Sequence, residues 1–530
     1  MAPILNRRVG PGARLGIIAL VALVIAGLVG TATTTTTAAD RPVRILTGAA
    51  ATLDPARAGD AASAGIIAQL FETVSAFDAS LTVRPALARS WDVEDGGRRI
   101  VFHLRDGLTF SDGTPLSGSD VVRSWLRLLA PERPSPLVSL MFDVDGAIPY
   151  LRGESRDPAS VGLSADGLEV TVELTRPAAD FINVVAGPSF AIVPPGIDDP
   201  AALTPGASFV ASGGYTLAAA GAGTTSLRAN PRYWAGPPPT SEIELVHDLG
   251  GRSSVAVFEA GEIDYAPIGD FDASWIVYDE NLGPDLRTVP SLSVQYYGFD
   301  TTQPPFDDVR VRQAFGAAVD WRRIVELGST GSEAIATSMV PPGIPGRSER
   351  DFLPVHDPEA ARGLLTEAGY PDGTGFPRVT MLTGGGQYDA AIVTELEREL
   401  GIEVVYETMS FDTYFGRLDA DPPQMWSLSW VADYPGPNDF LGVLLGSESS
   451  NNYGRYTSPE FDAAIRDAGA ASDEAAARAA YDRAEEIVQR DVPVVPVSYG
   501  TGWALSRAGL LGAEQNGLGS IRMAGLAWAD

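Results

Sequence analysis

In the segment RRIVFHL, Ile100, Phe102 and Leu104 recur at every second position, which predicts a half-buried strand. GLEVTVEL repeats the pattern with Leu168, Val170, Val172 and Leu174. A helical period replaces it in SDVVRSWLRLL, where Val121, Val122, Trp125, Leu128 and Leu129 share a face and Ser119 is the expected N-cap. DPEAARGLLTEAGY predicts a second helix, opened by Asp357 and Pro358 and stopped at Gly369. SPEFDAAIRDAG follows the same grammar from Ser458, and a longer helix is expected from about Asp473 to Arg490. After it comes VPVVPVSY, whose two prolines remove ladder donors and predict an edge or terminal strand. Strands and helices alternate from residue 40 onward without a tandem repeat or a long linker, so the fold class is α/β.

The first residues break this pattern. Arg7, Arg8 and Arg14 precede an uninterrupted apolar run from Leu15 to Val29, followed by small residues and the tract Thr33 to Thr37. This predicts an export signal cleaved after Ala32 or Ala39. The alternative is an uncleaved N-terminal anchor, for which the run is short against the roughly 20 residues that span a bilayer. On either reading the body of the protein works outside the cytoplasm, periplasmic or held at the cell envelope.

Composition narrows the chemistry further. The 530 residues leave room for more than one core. Cysteine is absent, which excludes thiol nucleophiles, thiolate metal sites, disulfides and a cysteine-linked lipid anchor. All 38 basic residues are arginine, so Schiff-base chemistry and a lysine phosphate loop are excluded as well. His103, His247 and His356 lie far apart, without metal-ligand spacing, and neither a metal nor a cofactor is expected. A net charge of −30 opposes nucleic-acid binding. An acid pair for catalysis can be imagined among 68 acidic residues, but none stands in a recognisable setting, and an enzyme is not expected.

One acid raises a sharper question. WVADYPGPNDF places Asp433 between Trp430 and the prolines Pro435 and Pro437, directly after an apolar run. A carboxylate removed from water needs a partner: an internal arginine, a metal, a proton, or the ammonium group of a visitor.

The order of short motifs bears on the choice. TLDPARAG, LFETVSAFD, RPALARSWDVEDGGRRIVFHLRDGLTFSDGTPLSGSDVVRSW, GGYTL, RANPRYW, FEAGEID, PPFDDVRVRQAFGAAVD, DPEAARGLLTEAGYPDG and WVADYPGPNDF follow one another along the chain. This series resembles the oligopeptide- and dipeptide-binding family of extracytoplasmic solute-binding proteins, receptors that feed ABC importers. The resemblance implies a two-lobed, periplasmic-binding-protein-like fold with an extra subdomain inserted in the first lobe. Mapped here, lobe I would comprise residues 40–78, 200–288 and 496–530, the insertion 79–199, and lobe II 289–495.

It also implies site residues. Asp433 stands where relatives receive the free amino terminus of a peptide, with Trp430 lining the cleft. SVQYYGFD resembles a segment whose backbone pairs with an extended peptide, which makes Gln295 and Tyr296 candidates. Gly59, Asp60 and Ala61 resemble the first-lobe loop that meets the peptide from the other side. Ser427 stands where some relatives carry an arginine, and Leu137 replaces an aromatic residue. The expected partners are a short peptide and an ABC permease in the membrane, with the receptor a monomer. The alternatives are a nickel chelate, sugar or haem as ligand, or an envelope scaffold that has lost transport.

Overall fold

Two strands, far longer than their neighbours, tie the molecule together. In chain order the strands of the main sheet are β1 (Val43–Leu46), β2 (Tyr215–Ala220), β3 (Thr224–Ala229), β4 (Glu242–Val246), β5 (Tyr265–Ile268), β6 (Leu286–Phe299), β7 (Val379–Thr383), β8 (Val404–Thr408), β9 (Met425–Val431) and β10 (Val494–Ser506). They are ordered β8-β7-β9-β6-β10-β5-β1-β4-β3-β2, and a short eleventh strand, Ala334–Ile335, pairs with β10. The computed structural model describes residues 41–529 apart from Ala179, Ala207, residues 330–332 and Ser472. The expected export segment, residues 1–39, lies outside the described residues.

β6 and β10 run antiparallel from Leu286↔Leu505 to Gly298↔Val494, with a break in register between Pro290 and Val294. On one side of that break β10 pairs with β5, and on the other β6 pairs with β9. Each half of the sheet has its own core. Val43, Ile67, Tyr215, Leu245 and Ala504 fill one. In the other half the alternation of side chains sends Tyr296 to one face and Tyr297 to the opposite one, and a separate core covers each face.

A smaller four-stranded antiparallel sheet, Ala88–Glu94, Arg99–Leu104, Glu169–Glu173 and Leu163–Asp166, forms a third body. Its core groups Phe102, Trp125, Phe181 and Phe190, with edge-to-face contacts between Trp125 and each of the three phenylalanines. Ile100, Phe102 and Leu104 are all buried, as their period-two spacing predicts.

Helices α1 (Ala61–Leu70), α2 (Gly118–Leu126), α3 (Pro358–Glu367), α4 (Pro459–Gly469) and α5 (Glu474–Asp491) cover the sheets. Their starts are chemically legible: Asp357, Ser458 and Asp473 accept backbone N–H groups from Ala360, Phe461 and Ala476. The N-cap of α2 is Ser117, not Ser119. Asp120 reaches back to the Ser117 backbone, and this reciprocal capping box starts the helix two residues earlier.

VPVVPVSY carries the prolines where one flank has no strand partner. β10 has β6 along one side, while on the other β5 pairs only at Trp503–Ser506 and residues 334–336 only at Val497–Tyr499, leaving Pro493 and Pro496 without a strand beside them there among the described residues. Pro493 precedes the strand, and Pro496 falls at the register irregularity between Gln295 and Tyr296, where a missing donor leaves the ladder intact.

Candidate functional site

The apolar run Met425–Leu428 is fully buried and carries β9 to the surface, where Ser429 and Val431 are exposed. β7 pairs with β9 only at Met381↔Met425 and Leu382↔Trp426, and the Ser427 carbonyl accepts from the Tyr414 hydroxyl, so the outer flank of β9 has no partner strand or side-chain cover beyond Ser427 among the described residues. The backbone N–H of Ala432 reaches the Leu292 carbonyl at 2.8 Å. Antiparallel alternation then turns Trp430 toward β6 as well, and aims the N–H and C=O groups of Ser429 and Val431 outward. The result is a short open strand edge, and Asp433 stands two residues past its end.

Asp433 has no side-chain partner there. Its Oδ2 is enclosed and accepts no hydrogen bond from the described residues, although the residue as a whole keeps some accessible surface. Its backbone N–H donates at 3.0 Å to Oδ2 of Asp439, which also accepts the indole N–H of Trp430 at 3.1 Å. Asp439 is fully buried and its Oδ1 is likewise without a partner. Burial pushes both carboxyls above the ordinary carboxylate range, and the charge of Asp433 adds to the rise at Asp439. Asp439 is the functional residue that sequence reasoning missed. Its signal was a second acid in the same WVADYPGPNDF stretch, six positions after the first.

The small-sheet body closes over this pair. Tyr434 and Val443 belong to its core, with Phe181 and Val185, and Gly187 faces the Asp433 carbonyl. Arg152 pairs with Glu448 at 2.6 Å, and Ser450 Oγ donates to the Pro136 carbonyl at 3.1 Å. Arg176, which lies against Gly469, is bound through two bonds of 2.7 and 2.6 Å to Asp143. Burial raises Asp143 and Asp180 too, so the region carries more carboxyl groups than cations.

The other predicted residues separate. Trp430 is half-buried and packs against both the small-sheet core and the core around Tyr296. Backbone pairing of a peptide with Gln295 and Tyr296 is excluded, because β6 already has β9 on one flank and β10 on the other. The Tyr296 ring is 2% exposed and lies in the core with Trp426 and Leu444, which removes it from the cleft. Gln295, on the opposite face, is part-exposed and sits beside Ser498 and Gly386. Asp60 caps α1, accepting the Ser63 N–H at 2.8 Å, and Gly59 and Ala61 flank it at the surface. Gly59 lies over Pro136 with no room for a side chain. Ser427 and Leu137 are buried, Ser427 against Thr383 and Leu137 in the small-sheet core.

Fold and site together define an α/β binding protein of the periplasmic type, two lobes joined by paired long strands with an added subdomain. Residues 82–452 match the bacterial extracellular solute-binding proteins, family 5, and the chain belongs to that family, whose members are receptors rather than enzymes. It is 30% identical over 468 residues, 84% of this chain and 86% of the relative, to the probable deoxycholate-binding periplasmic protein YgiS of Escherichia coli. It is 27% identical over 465 residues, 84% of each chain, to the periplasmic oligopeptide-binding protein OppA of Salmonella typhimurium. The structure of the murein tripeptide binding protein MppA of Escherichia coli superposes with a TM-score of 0.84 at 24% identity, covering 93% of this chain and 100% of that one. The unliganded open form of MppA superposes at 0.67, covering 92% and 98%.

Proposed function

We propose that this protein is an exported, monomeric receptor that captures short peptides bearing a free amino terminus and delivers them to an ABC-type importer. One observation carries the reading: an enclosed carboxylate without a cation, Asp433, lies at the end of an uncovered strand edge, Ser429–Val431. An extended peptide adds main-chain hydrogen bonds to such an edge whatever its sequence, and an acid at the edge's end fixes the register through the ammonium group. The names of OppA and MppA, peptide binders among the relatives, support the same class. The lobe boundaries given above fit this reading, with β6 and β10 as the crossings and residues 79–199 as the insertion that closes on lobe II.

The YgiS name raises the alternative of an amphipathic steroid acid. Asp433 and Asp439 oppose it, because the carboxylate of such a ligand would meet a pair of buried acids. Calorimetric titration with tri-alanine, N-acetyl-tri-alanine and deoxycholate tests the proposal. Binding of the free peptide alone is expected. Binding of deoxycholate with no binding of the free peptide overturns the peptide reading.

A further inference from the structure

We propose that Asp433 and Asp439 together form a charge gate that keeps the ligand-free receptor open: closing over an empty site strands their negative charge away from water, and either a ligand ammonium or a proton lifts the block. This deepens the reading of Asp433 as an ammonium acceptor and adds Asp439, which makes the second half of the gate.

The closed arrangement supplies the premise. Gly187 lies on the Asp433 carbonyl, and the Tyr434 ring is buried in the core of the small-sheet body. Both contacts join segments more than 200 positions apart and are broken when the bodies separate by hinge bending. In the closed state Asp439 is 0% exposed, while Asp433 Oδ2 and Asp439 Oδ1 each lack a donor.

Among the described residues no cation acts on either carboxyl. On the same segment, the Trp430 indole N–H and the Asp433 backbone N–H both go to Asp439 Oδ2, and Tyr434 is buried in the core of the small-sheet body. From that body come Asp180 and Asp143, with Arg176 held by Asp143, and from α5 comes Tyr481. Two like charges side by side, one fully buried and the other with an enclosed oxygen, cannot both persist without a counter-ion. In the open state water solvates them. A ligand ammonium compensates them in the closed state, and a proton on the pair does the same without a ligand. The upward shift of both carboxyls accords with a proton taken up on closing.

Asp439→Asn removes one charge and keeps an oxygen to accept from Trp430 and Asp433, so it should close the empty receptor at neutral pH. Small-angle scattering of the ligand-free protein at pH 8 and pH 5 tests the gate, with circular dichroism confirming that the fold persists. The radius of gyration of wild type should fall on acidification, and that of Asp439→Asn should be small at both pH values. Glu485→Gln, which removes a buried acid that does not act on either carboxyl of the pair, should respond as wild type does. A wild-type radius that is unchanged between pH 8 and pH 5 overturns the gate. So does an Asp439→Asn variant as expanded as wild type at pH 8, or a pH response lost in Glu485→Gln. If Asp439→Asn does not fold, the wild-type pH comparison decides. No peptide enters these measurements, so a failure of the gate and a failure of the peptide assignment are separately visible.

Discussion

Gly469, the last residue of α4, lies directly against the guanidinium of Arg176, so that a Cβ at this position would overlap Nη1. The contact joins α4, packed in the core around Tyr296, to the small-sheet body. Arg176 cannot move aside freely, because Asp143 holds it through two bonds. Gly469→Ala should therefore hold the bodies apart, at a strain of roughly 1–3 kcal/mol. The expected outcome is peptide affinity weaker by about tenfold or more, on about 1.4 kcal/mol per factor of ten. Scattering should show a larger radius in the liganded variant than in liganded wild type.

Asp433→Asn removes the charge proposed to meet the ligand ammonium. Breaking a desolvated pair from one side costs about 3–5 kcal/mol, so tri-alanine should bind at least about a hundredfold more weakly. N-acetylation of the peptide deletes the same interaction from the other side. Combining the two should give little further loss, because a double-mutant cycle counts one interaction once. Calorimetry that finds additive losses would assign Asp433 to the loop's own structure.

The open edge of β9 presents its backbone groups at Ser429 and Val431, two residues apart. A strand added there turns every second peptide N–H toward β9 and the others away. N-methylating a tetrapeptide one position at a time should weaken binding strongly at alternate positions and little between them. Uniform losses in calorimetry would place the peptide elsewhere.

On β6, Gly298 lies under the Trp426 indole of β9, and a Cβ there would come within 2.5 Å of the ring. Trp426 is 2% exposed and has no room to retreat. Gly298→Ala should lower stability by about 1–3 kcal/mol, seen as a reduced denaturant midpoint with an unchanged slope.

Glu485 on α5 is 3% exposed, accepts a hydrogen bond from Ser338, and is pushed up to about 7 by burial. A carboxyl raised in the folded state adds stability that is fully present below its unfolded value, near pH 4, and lost as pH rises through about 7. Glu485→Gln keeps an acceptor for Ser338 without the charge. It should match wild type in thermal unfolding near pH 4 and exceed it at pH 8, by on the order of 3 kcal/mol. A stability difference independent of pH would count against a buried ionisation.

The elements themselves were legible because their signals are local. The period-two run at Ile100, Phe102 and Leu104 and the caps at Asp357, Ser458 and Asp473 depend on neighbours within a few residues, and each stands where its pattern predicts. Ser119 failed as a cap because Ser117 has Asp120 at the reciprocal spacing, a competition that is also local.

What only the tertiary structure decided involves residues far apart in sequence. Pro496 is carried in the long strand β10 with a register break of β6 opposite it, and nothing in VPVVPVSY records that partner. Gln295 and Tyr296 are neighbours in sequence, yet one is part-exposed beside Ser498 and the other buried in the core, because successive side chains of β6 point to opposite faces. The sequence by itself determined that Asp433 is an acid at the end of an apolar strand, in a chain with no lysine to neutralise it. That one of its carboxylate oxygens is enclosed and its carbonyl faces Gly187 was decided by packing across more than 200 positions, since burial is a property of the assembled surfaces and not of any one segment.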